Sequence, residues 1–296
     1  MKIGFVGLGR MGSNMVQNLL EKGHDVVVYD QKAEQIESLT AIGAIGSPSL
    51  RALGSFLEPP RVVWLMIPAG PAVDDVIDGV ARCLAKDDII VDGGNSFFED
   101  SIRRASKLFE RTGIQFLDVG TSGGIEGARR GASLTIGGEK GVFEQLIPLF
   151  EALAAPGGFS YVGPSGAGHF TKMVHNGIEY AMLEAYGEGF ELLSKAPFEI
   201  DIIPAIKAWI NGGVIRSWIL ELAERALQKD PKLESVSASV GGGETGEWTV
   251  ETSIDYDVPI PVIYMALAMR YRSRQLDSLS ARLISALRYE FGRHRQ

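Results

Sequence analysis

Apolar residues in the first 164 positions come in short runs bounded by glycine, proline or charge, and between those runs they recur at helical spacing. The run from Ile3 to Val6, DVVVYD at 25–30, RVVWLMIP from Arg61, DIIVDGG from Asp88 and IQFLDVG from Ile114 read as short strands. Helical patterns lie between them, from the GLGRMG turn to about Glu21 with Gly23 as its stop, then at 31–42, 71–84 and 99–111. GASLTIGG and FSYVG add two strands and close a first domain near residue 164. Strands alternating with helices of this length predict an α/β Rossmann-type domain over 1–164, a mostly parallel sheet with helices on both faces. After GPSGAG the two-residue alternation fades. One long helical pattern runs over 167–195 and others follow near 199–211, 216–229 and 259–290, predicting an all-helical C-terminal domain over 165–296.

The long helical pattern carries chemistry. Within KMVHNGIEY, at 172–180, Lys172, His175, Asn176 and Glu179 fall at i, i+3, i+4 and i+7, so all four share one helix face over two turns. A base and an acid can then address one bound molecule. A solvated stripe of helical ion pairs is the competing explanation, and the rest of the chain decides between them.

GFVGLGRMG sets Gly7, Gly9 and Gly12 in GxGxxG spacing after a strand and at a helix start. Gly7 permits the tight turn, Gly9 lets backbone approach a pyrophosphate, and Gly12 lets helix and strand pack closely, with Arg10 and Met11 between them. The helix N-terminus then offers unpaired N–H groups and a favourable field to an anion. Asp30 ends the second strand, where a carboxylate accepts hydrogen bonds from both adenosine ribose hydroxyls and repels a 2′-phosphate. Gln31 adds no charge and Lys32 does, so NAD is favoured over NADP without NADP being excluded.

Composition narrows the classes. With 296 residues and 45% hydrophobic positions the chain suits two domains, and a large subunit interface could absorb its slightly apolar character. A formal charge of -8 without any lysine/arginine block argues against a nucleic-acid partner, and an anionic ligand must be held by a few placed cations. No run of 18 uncharged apolar residues predicts a membrane span, and the opening apolar run reads as a strand and not as a signal peptide. Cys83 is the one cysteine, which excludes a thiolate zinc site and makes a reducing, cytoplasmic location the simpler expectation. No metal-site spacing of Cys, His, Asp and Glu occurs, so no metal is expected.

Taken in order, GFVGLGRMGSNM, DGGNS at 92–96, SGGIEGARRGASL at 122–134, GAGHFTKMVHNGIEY at 166–180 and GETGEW at 243–248 resemble 6-phosphogluconate dehydrogenase, the decarboxylating enzyme of the β-hydroxyacid dehydrogenase superfamily. The resemblance spans almost the whole chain and is similar to a short form lacking a duplication in the helical domain. It implies Lys172 as general base and Glu179 as general acid, with Asn95, Ser122, Gly123, Gly124, His175 and Asn176 around the substrate carboxylate, its hydroxyls and the nicotinamide. It further implies Tyr180, Thr245 and Arg270 at the sugar phosphate. The terminal RYEFGRH is similar to a family tail that crosses into a neighbouring subunit, which implies a homodimer or homotetramer with Arg288 and His294 lent across. Two departures stand out. The family commonly has asparagine and arginine at the positions of Asp30 and Gln31, and a phosphate-binding lysine at the position of Gly243.

The chemistry can be argued from the residues. Oxidising a secondary alcohol needs a base for the hydroxyl proton, and a lysine serves near neutral pH when desolvation or a neighbouring cation lowers its pKa. If that hydroxyl is β to a carboxylate, the product loses CO2 to give an enediol, which Glu179 can protonate at carbon. The substrate implied is 6-phosphogluconate and the product ribulose 5-phosphate. A rival is a non-decarboxylating NAD-dependent β-hydroxyacid dehydrogenase for a small acid such as hydroxyisobutyrate. Such a substrate needs neither a late acid nor a distal phosphate pocket, so Glu179, Tyr180, Arg270, Arg288 and His294 weigh against it. A nucleotide sensor that has lost catalysis is the other class, and the Lys172/Glu179 pair weighs against that.

Overall fold

The computed structural model describes residues 1–292 and divides into two compact units, Met1–His175 and Asn176 onward. In the first unit β1 (Lys2–Val6), α1 (Arg10–Glu21), β2 (Asp25–Tyr29), α2 (Ala33–Thr40) and β3 (Ile45–Gly46) lead through α3 (Leu50–Leu53) to β4 (Val62–Leu65). Then come α4 (Pro71–Ala81), β5 (Ile89–Asp92), α5 (Phe98–Thr112), β6 (Gln115–Ser122), α6 (Gly124–Arg130), β7 (Ala132–Gly138), α7 (Lys140–Gln145), α8 (Ile147–Leu153) and β8 (Ala154–Gly163). The eight strands form one sheet in the order β3-β2-β1-β4-β5-β6-β7-β8. The first six are parallel, β7 runs antiparallel to β6, and β8 runs parallel to β7. The strand order reverses between β1 and β4, so their carboxyl ends open the crevice where such sheets bind ligands.

Interior strands read as continuous apolar runs because both sheet faces are covered. In β4, Val62 and Trp64 join the cluster of Phe5, Val28 and Phe150, whereas Val63 and Leu65 join Val27, Ile90 and Leu108 on the opposite face. The Phe5 and Trp64 rings stack with centroids 6.3 Å apart.

A 28-residue helix, α9 (Ala167–Ser194), passes through the division between the units, which falls between His175 and Asn176. The second unit continues with α10 (Ile202–Ile210), α11 (Trp218–Lys229), α12 (Glu244–Asp255), α13 (Pro261–Arg272) and α14 (Leu279–Gly292). Tyr186 on α9 lies 2.9 Å from Ser217 Oγ at the start of α11, and Phe190 stacks on Trp209 of α10. The helix expected over 259–290 is two helices. Ser278 Oγ accepts a hydrogen bond from Ala281 N–H, a cap that starts α14 afresh. Helix α12 was not legible, because its glycine, three threonines and lone valine give low helix propensity. No described helix is long and apolar enough to cross a membrane.

Candidate active site

The glycine turn joins β1 to α1. Gly7 has φ +94, and a side chain there would overlap the Met66 carbonyl at the end of β4. A Cβ on Gly12 would overlap the Gly7 carbonyl, so the helix can approach the strand only without one. At Gly9, the N-cap of α1, a Cβ would meet nothing within 4 Å, and no side chain caps the helix. The first-turn N–H groups of α1 therefore begin beside open space, with Arg10 exposed and Met11 half-buried. Asp30 faces this turn. Its Oδ2 accepts from Leu8 N–H at 2.7 Å and its Oδ1 from Lys32 N–H at 2.9 Å, which leaves lone pairs for ribose hydroxyls. An open helix start, a glycine cradle and a carboxylate at the next strand end fit a dinucleotide.

The DGGNS turn after β5 is braced from below. Asp92 accepts from Gly94 N–H at 3.0 Å and from Ser96 Oγ at 2.7 Å. Asn95 sits at φ +56, a region asparagine tolerates better than most residues. Its side chain clamps the end of β6 twice, accepting from Thr121 N–H at 2.8 Å and donating to Thr121 O at 3.1 Å. Ser122 follows, then Gly123 at φ +113 and Gly124 at φ +58, a turn that starts α6. Ser122 Oγ lies 3.3 Å from His175 Nε2, and Lys172 Nζ lies 3.3 Å from His175 Nδ1. Lys172 is only 7% exposed, whereas His175 is exposed. The base candidate is thus buried and joined through one imidazole to the serine of the SGG turn.

The second unit gathers another set. Asn176 Nδ2 donates to Thr245 Oγ1 at 3.2 Å, and the Tyr180 hydroxyl lies 3.3 Å from the same oxygen. The Arg270 guanidinium stacks on the Tyr180 ring, 3.8 Å from its centroid, and donates to Gly241 O at 2.8 Å. Arg274, one turn on, donates from Nε to Val240 O at 2.8 Å and from Nη2 to Gly242 O. Arg274 was missed by the sequence reading, although its i+4 spacing from Arg270 was visible. Gly243 is the N-cap of α12 with φ +143, a conformation side chains rarely adopt, so its glycine answers a backbone demand. A Cβ there would stand 3.7 Å from Arg274 Nη2. Half-buried Glu179 lies on α9 between Asn176 and Tyr180. Nearby on the helix, burial and then the neighbouring Glu188 push the Glu184 carboxyl up, with Arg270 opposing them. Arg288 is exposed on α14, and His294 lies outside the described residues. No cluster of three His, Cys, Asp or Glu suited to a metal occurs among the described residues.

Two family matches cover the chain. Residues 2–166 match the NAD binding domain of 6-phosphogluconate dehydrogenase, and residues 168–282 match the 6-phosphogluconate dehydrogenase C-terminal domain. The chain is 47% identical to an NAD(+)-dependent, decarboxylating 6-phosphogluconate dehydrogenase of Haloferax volcanii, over 99% of this chain and 98% of that one. It is 38% identical to a Bacillus subtilis enzyme of the same description, over 92% of this chain and 61% of the longer relative. Among solved structures, Plasmodium falciparum 6-phosphogluconate dehydrogenase, studied with NADP+ and with 6-phosphogluconate, superposes with TM-score 0.85 at 30% identity, over 99% of this chain and 65% of that one. With both domains matched in order and a relative of equal length at 47% identity, the chain belongs to the 6-phosphogluconate dehydrogenase family.

Proposed function

We propose that the protein oxidatively decarboxylates 6-phosphogluconate to ribulose 5-phosphate and CO2 with NAD as oxidant. The observation that carries this reading is the position of buried Lys172, linked through His175 to Ser122, on the helix that carries Glu179 seven residues later. Seven residues of helix separate the two backbones by roughly 10 Å, and long lysine and glutamate side chains on one face can converge from there on adjacent carbons of one substrate. When bound, the nicotinamide accepts a hydride from the carbon bearing the reacting hydroxyl. Lys172 takes the hydroxyl proton, then returns it to the oxygen as the bond to the carboxylate breaks and CO2 leaves. Glu179 delivers a proton to the carbon that lost the carboxylate, while Lys172 takes back the proton of the neighbouring hydroxyl as the ketone forms. Asn95, Ser122, Gly123, Gly124, His175 and Asn176 orient the carboxylate and hydroxyls.

Tyr180, Thr245 and Arg270 receive the phosphate, and Arg274 supplies the second cation that Gly243 does not. NAD is preferred because Asp30 accepts from ribose hydroxyls and repels a 2′-phosphate. The second unit supports a homo-oligomer of two or four copies. Its buried apolar side chains among the described residues are Ile206, Leu220, Ala266 and Leu267, whereas Val262, Met265, Ile284, Leu287 and Phe291 stay exposed. A second copy would cover them, with Arg288 reaching the neighbour's substrate.

Incubation with NAD and 6-phosphogluconate should yield reduced cofactor, CO2 and ribulose 5-phosphate in equal amounts. In Lys172→Met reduction should nearly vanish, and in Glu179→Gln product formation should slow. Faster turnover of hydroxyisobutyrate than of 6-phosphogluconate, or reduction without CO2, would overturn the reading.

A further inference from the structure

Helix α9 starts in an unusual way. Its N-cap is Gly166, at φ +92, whose carbonyl accepts from Phe170 N–H at 2.8 Å. Its third helical residue is His169. A local capping box would place a serine or threonine at the first position and a glutamate or glutamine at the third, satisfying two orphan N–H groups reciprocally. Glycine and histidine do neither. Both N–H groups are satisfied by one carboxylate brought from elsewhere: Asp118 of β6, fully buried, accepts from Gly166 N–H with Oδ1 at 2.7 Å and from His169 N–H with Oδ2 at 2.9 Å. A negative charge at this place also meets the favourable end of the helix dipole.

We propose that Asp118 is a positioning residue of the reaction: it locks the start of α9 to β6 and thereby sets where Lys172 Nζ stands relative to Ser122, four residues further along the same strand. The surrounding contacts make this lock stiff. A Cβ on Gly168 would stand 2.6 Å from Thr135 O and 2.8 Å from Gly137 N, so the first turn of α9 presses on the backbone of β7. Thr135 Oγ1 donates to Gly168 O at 3.0 Å. His169 is held from its side chain as well, its Nδ1 lying 2.7 Å from Ser101 Oγ on α5. Lys172 follows His169 by three residues, one turn along the helix. A helix pinned at its first turn by three neighbouring elements carries its next turn as a rigid extension. A buried carboxylate is costly to desolvate, and this one has no salt bridge among the described residues. Apolar packing alone could hold a helix to a sheet. The carboxylate adds direction, since its two oxygens accept only when Gly166 and His169 present their N–H groups together, which fixes both the tilt and the rotation of the helix about its axis.

The inference rests on the reaction proposed above, and it is tested on the full-length enzyme with excess enzyme over 6-phosphogluconate and saturating NAD in a rapid-mixing instrument. Asp118→Asn keeps shape but presents one acceptor oxygen in place of two, and Asp118→Ala removes both. The observed rate of reduced-cofactor formation should fall about 10- to 100-fold in both, since a reacting group displaced by about 1 Å costs that order. The amplitude should stay that of wild type, and KM for NAD should stay within about twofold. A merely structural role would instead lower the folded fraction read by circular dichroism and leave the rate constant untouched at an enzyme excess that still saturates the substrate, which would overturn the proposal. Should neither variant fold, hydrogen exchange on the wild-type protein decides: the Gly166 and His169 amides should be protected to the level of the sheet, and rapid exchange there overturns the lock. Wild-type enzyme inert toward 6-phosphogluconate would sink the proposed function and this inference together, whereas an active wild type with unaltered Asp118 variants would sink this inference alone.

Discussion

Gly120→Ala is a one-carbon perturbation aimed at the same base from the other side. Gly120 lies in β6 two residues before Ser122, and a Cβ built on it would overlap Lys172 Cβ while standing 2.5 Å from Thr135 Oγ1 and 2.8 Å from Gly168 O. Carbon contacts settle at about 3.5–4.0 Å, so the first turns of α9 must retreat from β6 by roughly 1 Å. Thr135 Oγ1 can rotate away, but the Gly168 carbonyl belongs to the helix and Lys172 Cβ is anchored to it. Overpacking of this kind costs about 1–3 kcal/mol. For a domain of this size that is a fall of roughly 2–10 °C in Tm. Displacing Lys172 by about 1 Å should lower kcat about 100-fold with KM for NAD little changed, because the glycine turn of α1 is untouched. Steady-state rates with 6-phosphogluconate and NAD, alongside thermal melting, measure both effects. Gly187→Ala on the same helix is the control, since a Cβ there meets nothing within 4 Å and alanine favours helix. A Gly120→Ala enzyme with wild-type kcat at saturating substrates would refute the claim that β6 sets the position of Lys172.

Asp30→Ser should raise kcat/KM for NADP relative to NAD by about 10-fold or more, as one charge repelling a 2′-phosphate is removed, and should also raise KM for NAD because Leu8 and Lys32 N–H lose their acceptor. Initial rates with each cofactor check it. Arg274→Ala should raise KM for 6-phosphogluconate about 10-fold while leaving KM for NAD unchanged, the size expected for one charge-assisted hydrogen bond of about 1.5 kcal/mol. The Arg103 and Arg104 guanidiniums hold the Asp74 carboxyl well below its ordinary range. Its folded value is depressed, so its contribution to stability is complete above the ordinary carboxylate pKa and is lost as pH falls below about 4. Asp74→Asn should therefore lower Tm at neutral pH and shrink the difference from wild type as melting is followed downward through that window.

The α/β half was legible because its signals are local. Five of its strands are buried on both faces, so they stand out as apolar runs, and the glycine spacing at 7, 9 and 12 reports a backbone demand that no other residue type meets. The helical half was harder. A helix that leaves much of its apolar surface exposed in one chain lacks a clean amphipathic stripe, which is why α13 and α14 read as one pattern until the Ser278 cap separated them. The sites follow the same division. Lys172, His175, Asn176 and Glu179 stand out as candidates by helical spacing and take their expected roles from the family resemblance, whereas nothing in a sequence says that a turn at 240–242 comes back to meet Arg274.

Gly243 shows how the two levels combine. As a letter it is a missing lysine, a loss of charge at the proposed phosphate site. In the fold it is the N-cap of α12 at φ +143, where a lysine side chain would be strained, and the carbonyls before it are taken up by Arg270 and Arg274. The positive charge at this turn is therefore carried by the end of α13 and not by the turn itself. Arginine suits that place, since its fork can hold a loop carbonyl with one nitrogen and offer others to phosphate oxygens, which a single ammonium does less well. A substitution that restores lysine at position 243 should consequently fail to rescue Arg274→Ala: the added charge would come with a strained backbone at the start of the helix that presents Thr245.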